Sequence, residues 1–364
     1  MTGSAHGGDR RAASRRTGIP EERIIDFSAS ISPAGVPGTV RQILHQHEKD
    51  LPHYPQPHAE ELCAAVEKRY RLEKGSVICG NGSTELIYLI PRALRPKRVL
   101  LTSPTFSEYE RACRLGGSRL VHHPLMREDD FRVSAGDMIR ALQGKGGGKS
   151  DACSMAFLCN PNNPTGQLLS RKKVLEIAEA ARKIRCYLVV DEAFIDFCPG
   201  HSVANEVRKN PWLIVLRSLT KFYALAGIRA GYAVLSPDLA EKVRQNKEPW
   251  TVNSLAQKAG IASLKDRSYE EKAQRVVARE KTFIERSLES AGIQFIPSQA
   301  NYYLLRMKNA RKVAAGLERK GILVRDCSNF RGLDGSWLRI AVRTRKENKI
   351  LMQELPVAAS GDTI

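Results

Sequence analysis

Between residues 57 and 240, short runs of nearly continuous apolar residues alternate with stretches of helical periodicity, and nothing else in the chain narrows the fold as much. The runs are SVICG (76–80), RVLLTS (98–103), RLVHHP (119–124), SMAFLCN (154–160), CYLVVD (186–191), WLIVL (212–216) and AGYAVL (230–235). A strand with one wet face alternates apolar and polar residues, whereas a strand that is apolar throughout is covered on both faces. Helical stretches such as STELIYLIPRAL and SRKKVLEIAEAARKI lie between the runs. Strand and helix taking turns imply an α/β fold with a mostly parallel central sheet between layers of helix.

The texture changes after residue 250. A long charged helical region, 267–292, is followed by IQFIP, NYYLLR, a short helix, GILVR and WLRIAVR, the pattern of a smaller α+β unit. The first 45 residues are too few for a domain of their own and are expected to pack onto this second unit. With 364 residues the chain can form two domains. The expected division is a large unit, 46–245, and a small one made of 1–45 and 246–364.

Several function classes are disfavoured by composition. No apolar run is long enough to cross a bilayer. The basic, serine-containing N-terminus has some transit-peptide character but no apolar core for export, so a cytoplasmic location is expected. The eight cysteines form no C-x-x-C pair and several sit in apolar runs, as buried free thiols do. The histidines do not fall at ligand spacings with them, so no metal site is expected. The formal charge of +19 is dispersed along the chain instead of gathered in a stripe with interleaved aromatics, which argues against nucleic acid as a partner. Anionic small ligands suit that charge better. GKGGGKS (144–150) reads as a flexible surface loop within a domain.

Ligands of such sheets bind beyond the carboxyl ends of the strands. After SVIC comes GNGSTE, which places Ser83 and Thr84 at a helix start: simple caps, or a cradle of N–H and hydroxyl groups for phosphate. After MAFLC comes NPNNPTG, a tight turn whose Asn163 amide can donate to a ligand oxygen. After CYLVV comes Asp191, a carboxylate at the end of a buried strand that needs a cationic partner. After WLIVL come Ser218, Thr220, Lys221 and Arg229. Lys221 is either a solvated loop lysine or a nucleophile in a pocket. One ligand unites the set, carrying a phosphate, a phenolic oxygen, a basic ring nitrogen and an aldehyde. Pyridoxal 5′-phosphate has all four.

The order GNGSTE, NPNNPTG, DEAF, SLTKFYALAGIRAGY and WLRIAVR resembles the fold-type I pyridoxal-phosphate enzymes of the aminotransferase class I/II family over nearly the whole chain. The resemblance implies that Lys221 is the Schiff-base lysine, Asp191 the partner of the pyridinium nitrogen and Asn163 the partner of the 3-oxygen. It implies phosphate contacts from Ser83, Thr84, Ser218 and Arg229, and a stacking ring from Phe106 in SPTFSEY. It further implies that Tyr54 in HYPQP reaches the phosphate of the other subunit in a homodimer, and that Arg339 holds a substrate carboxylate. Phe194 departs from the family's DEAY and removes a hydroxyl from the neighbourhood of the 3-oxygen.

Within that family, the opening AHGGDRRAASRRTGIPEERIIDFSASISPAG resembles the branch that decarboxylates L-threonine O-3-phosphate for cobalamin assembly, and histidinol-phosphate aminotransferases come next. The likeness implies that His6, Gly7 and Gly8, with the backbone near Ser30 to Ser32, close over a phosphorylated substrate; otherwise they are a chain-end tail. Arg325 in GILVRDCSNF is a second guanidinium suited to bidentate grip on a carboxylate or phosphate. Serine phosphate, one methyl smaller, remains an alternative substrate.

Overall fold

The computed structural model of the protein describes residues 6–144 and 152–360, so the glycine-rich patch lies almost wholly outside the described residues. Its centre is a sheet of seven strands: β1 (Val77–Asn81), β2 (Arg98–Ser103), β3 (Arg119–Pro124), β4 (Met155–Cys159), β5 (Tyr187–Asp191), β6 (Leu213–Ser218) and β7 (Ala230–Val234). Each coincides with one of the apolar runs to within a residue or two. The spatial order is β1-β7-β6-β5-β4-β2-β3. The strands are parallel except β7, which runs against both of its neighbours. Only residues 219–229 separate β6 from β7, too short a stretch for the helical crossover that a parallel pair requires.

The pleat divides the apolar side chains between two layers. Phe157, Val189, Ile214 and Leu216 face α1 (Ser83–Leu94) and α2 (Ser107–Leu115), whereas Leu158, Leu188, Val190 and Val215 face the side covered by α3 (Arg171–Lys183). The central strands are buried along their length, as continuous apolar runs require. β3 is the exception: it forms the edge of the sheet and its residues are half-buried or exposed, which accommodates His122 and His123.

The smaller sheet is antiparallel, built from β8 (Gln294–Ile296), β9 (Tyr302–Arg306), β10 (Arg325–Asp326) and β11 (Trp337–Ala341) in the order β10-β11-β9-β8. Ile25–Asp26 pairs in parallel with Ile322–Leu323, and Phe27 is buried in the apolar cluster behind this sheet. The long α4 (Arg267–Ser290) serves both units: Tyr269 and Ala273 pack in the core of the large sheet, whereas Ile284 and Leu288 pack in that of the small one. Val40 and Val252 also belong to the large core.

Because β7 is reversed, its first residue lies at the same edge of the sheet as the last residues of its neighbours. Ser218 sits opposite Gly231, and Asn81 opposite Ala230. Arg229, one residue before β7, is thereby delivered to the edge where β1, β4, β5 and β6 end. On the other face of those strand ends lies a buried ionic group: Arg217 holds Glu192 at 3.1 Å and Asp196 at 2.5 Å.

The start of α1 comes very close to β7. A Cβ at Gly231 would stand 2.4 Å from the Ser83 backbone nitrogen. Gly231→Ala is therefore expected to cost about 1–3 kcal/mol through overpacking, read as a lower urea midpoint with an unchanged slope. An unchanged midpoint would show that α1 gives way freely.

Candidate active site

The loops that leave this edge surround a cavity of about 430 Å³. On one side the chain turns through Gly82, whose φ of +76° is a left-handed conformation open to glycine, and enters α1 at Ser83. The first N–H groups of that helix, with the hydroxyls of Ser83 and Thr84, face the cavity. They carry the positive end of the helix dipole. Arg229 closes the other side. Its guanidinium sits where a side chain on Gly82 would be, with Nη2 only 2.3 Å from the site of a Cβ. The Ser218 and Thr220 hydroxyls, 2.7 Å apart, complete the rim. A helix start, hydroxyls and a guanidinium gathered in this way suit an oxyanion such as phosphate.

Asp191 and Lys221 stand further in. Asp191 is buried, and its carboxylate accepts from Tyr109 Oη at 2.6 Å and from the Ala193 N–H at 2.9 Å. Burial raises its pKa, and those two donors and Lys221 pull it back. Burial likewise brings the Lys221 amine down to about 8. The second cause is Arg339 and the third Arg229, with Asp191 opposing them. Arg339, distant in sequence, is thus a larger influence on the amine than Arg229, eight residues along the chain.

The small sheet supplies the opposite wall. Arg325 and Arg339 are directly cross-strand on β10 and β11, and both line the cavity. Arg339 donates to the Asn163 side-chain oxygen and, at 2.9 Å, to the Ser28 carbonyl. Its buried Nε has no partner among the described residues. Arg325 donates to Asn329 and to the Asp326 carbonyl, each at 2.8 Å, and lies over the Phe330 ring at 5.3 Å. Burial and the adjacent Arg339 push its pKa down.

The N-terminal arm reaches the cavity as well. His6 Nε2 lies 3.0 Å from Glu108 Oε1, and its ring centroid is 5.8 Å from that of Phe106. Gly7 packs so closely that a Cβ would stand 2.3 Å from the Ser28 carbonyl oxygen, and Gly8 donates its N–H to Ser28 Oγ at 2.8 Å. His6 and Gly7 line the cavity, with Gly8 anchoring them from behind. Ser32 does not line it: its N–H donates to the Lys221 carbonyl at 3.0 Å, steadying the lysine loop, and Ser28 to Ser30 face the space instead. Phe106 lines the cavity. Phe194 does too, set edge-on to Tyr302 at 5.0 Å in the place where a family tyrosine would carry its hydroxyl. Tyr54 is outside, 86% exposed and resting against Trp250 at 5.3 Å.

Sequence reasoning passed over Glu108, Tyr109, Ser28 and Phe330. Glu108 and Tyr109 sit inside the quoted SPTFSEY, and their signal was there: two polar groups on the buried face of a helix start, where each needs a partner.

The cavity thus offers an oxyanion cradle at a helix start, an amine of lowered pKa, a buried carboxylate, an amide and an aromatic wall. Those are the groups that pyridoxal phosphate requires, and the Arg229 guanidinium seated against Gly82 stands beside Ser83 and Thr84 where its phosphate would be held. Sheet and site together define a fold-type I pyridoxal-phosphate enzyme. The chain belongs to the aminotransferase class I and II family, whose model matches residues 22–355. It is 33% identical over 362 residues to the threonine-phosphate decarboxylase of Salmonella typhimurium, covering 98% of this chain and 97% of that one. It is 35% identical over 356 residues to the histidinol-phosphate aminotransferase of Roseiflexus castenholzii, covering 94% and 92%. The solved L-threonine-O-3-phosphate decarboxylase of Porphyromonas gingivalis is similar with a TM-score of 0.78 at 28% identity, covering 90% of this chain and 97% of that one.

An amine is reactive only when deprotonated, so its labelling rises as pH passes its pKa. In the apoprotein, modification of Lys221 by an amine-directed reagent, followed by peptide mass spectrometry, is expected to rise about a midpoint near 8 and not near 10.5. Arg339→Leu removes a positive neighbour and is expected to move that midpoint upward. A midpoint that ignores Arg339 would contradict the electrostatic account.

Proposed function

We propose that the protein decarboxylates L-threonine O-3-phosphate to (R)-1-aminopropan-2-ol O-phosphate, the arm of the cobalamin nucleotide loop. The observation that carries this reading is the N-terminal arm: His6 and Gly7 line the cavity beside two cross-strand arginines, a setting suited to a small, doubly anionic substrate. The relative from Salmonella typhimurium is aligned over nearly the whole chain, which agrees with this choice. The second reading is amino transfer of the histidinol-phosphate type, which the comparable identity to an aminotransferase supports.

In this reading Ser83, Thr84, Ser218 and Arg229 would hold the cofactor phosphate, Asp191 its ring nitrogen, Asn163 its 3-oxygen, Phe106 its ring face and Lys221 its carbonyl carbon. When bound, pyridoxal phosphate supplies an electron sink for the pair left behind as a bond to the substrate Cα breaks. The protein's own residues then decide which bond breaks. The substrate carboxylate loses its charge as carbon dioxide departs, whereas the phosphate keeps its charge throughout. A guanidinium on the carboxylate would stabilise the starting state more than the transition state and slow the reaction. The arginine pair therefore serves decarboxylation best on the substrate phosphate, where its grip is equal in both states, and not on the carboxylate that the family resemblance assigns to Arg339. The arm and the Phe330 ring, which line the cavity, would limit the access of water to the electron pair at Cα. Lys221 Nζ, whose lowered pKa suits it to give and take protons near neutrality, would take a proton from the substrate ammonium group and deliver it to Cα in the place the carboxylate leaves.

The test is to supply pyridoxal phosphate and threonine phosphate and to measure carbon dioxide and aminopropanol phosphate. Turnover confined to amino transfer from histidinol phosphate to 2-oxoglutarate would establish the second reading instead. A phosphate grip that is uniform along the reaction makes Arg325→Gln raise KM by about tenfold or more with a smaller change in kcat. A fall in kcat at constant KM would place Arg325 on the reacting centre.

We further propose that the active form is a homodimer in which Tyr54 completes the partner's phosphate cradle. Mixed dimers of Lys221→Ala and Tyr54→Ala chains contain one intact site on that arrangement. They are expected to regain up to half of the wild-type activity per dimer, whereas a Tyr54 acting within its own chain leaves them no better than the Tyr54→Ala parent.

A further inference from the structure

Tyr109 is 1% exposed, and its ring is fixed on both sides. It stacks on Phe157 at 4.9 Å and 17°, and meets Phe106 edge-on at 5.6 Å and 81°. Packing of that kind needs no hydroxyl; phenylalanine would do it. Yet the hydroxyl reaches Asp191 Oδ2 at 2.6 Å, while Ala193 N–H holds Oδ1 at 2.9 Å. The carboxylate is thus gripped at both oxygens and cannot rotate. Each remaining lone pair must be used within the geometry those two donors leave.

We propose that Tyr109 is a positioning residue for the cofactor's ring nitrogen: its hydroxyl keeps Asp191 ionised and turned toward the cavity, and so sets how firmly that nitrogen is held in its protonated form. The proposal rests on the reading of Asp191 as the ring-nitrogen partner. A donor to a carboxylate favours the charged form, and a buried carboxylate stripped of one takes up a proton more readily. Loss of the hydroxyl therefore raises the pH below which protons compete with the cofactor's cationic ring. Tyr109 also carries the wall formed by Phe106, so one residue fixes both the edge contact and the stacking face.

The experiment compares two ligands on the apoprotein. Pyridoxal phosphate and its 1-deaza analogue, in which a C–H replaces the ring nitrogen, are titrated at pH 6 and pH 8 into wild type and Tyr109→Phe, with dissociation constants read from absorbance. Wild type is expected to prefer pyridoxal phosphate. In Tyr109→Phe that preference shrinks about tenfold, because the lost bond is one to a charged group, and shrinks more at pH 6 than at pH 8. Equal weakening of both ligands would mean that Tyr109 only packs, and would overturn the proposal. An unchanged preference would overturn it too, while leaving Asp191 as the ring partner. A wild type that does not distinguish the ligands would remove Asp191 from that role and the proposal with it. Should Tyr109→Phe not fold, 3-fluorotyrosine at position 109, a stronger donor of nearly the same shape, must enlarge the preference; failure to do so refutes the idea equally.

Discussion

A charge in a protein interior must be matched or given up, and Asp191 is the charge about which this molecule is arranged. It ends a strand that is apolar along its length, in a place where water cannot solvate it. Two donors and the nearby Lys221 resist the pull of burial toward the neutral form. The same burial drives the lysine the other way, toward its neutral form, and Asp191 opposes that fall only in part. Everything nearby can be understood as supporting that pair: the helix start that draws in a phosphate, the arginines that lower the lysine further, and the aromatic wall that keeps the dielectric low.

The four loops that carry these groups come from distant parts of the sequence, and the sheet brings them together without any long-range instruction beyond strand order. Parallel strands present all their carboxyl ends at one edge, and the single reversed strand adds its beginning to the same edge. The small sheet then contributes two guanidinium groups from adjacent strands. Such a pair repels itself when nothing anionic is present, which leaves it ready to receive a ligand with more than one negative oxygen.

Much of this was legible in the residues themselves. Strands such as β2 and β4 were visible because burial on both faces leaves an unbroken apolar run, and the functional residues could be found by looking just past them. β3 was visible as a strand but not as an edge, since local sequence does not say how many neighbours a strand has. The reversal of β7 was readable only from the shortness of the link before it. Roles carried by one side chain through another were hidden. Tyr109 signalled only that a polar group on a buried helix face needs some partner; which one was hidden, because it lies 82 positions away. Ser32 was a candidate for the cavity through the family likeness of its segment, but its N–H turns to the Lys221 carbonyl instead. The weight of Arg339 on Lys221 was equally invisible, as it depends on how the small sheet is laid against the large one.

The strand ends also carry a safeguard against misassembly. Asp191 and Glu192 are neighbours that point to opposite faces, as are Arg217 and Ser218 on the adjoining strand. One face receives the reactive groups, and the other receives the Arg217, Glu192 and Asp196 cluster. A slip of one residue in β5 alone that set Glu192 in the cavity would take it from Arg217 and carry Asp191 to the place of Val190, in the apolar layer beside Val215. An error that left a plausible active site with the wrong carboxylate would at the same time tear open a buried ionic cluster. Faulty copies of the site are thus made unstable as well as inactive, and the chain discards them on folding, before any substrate has to.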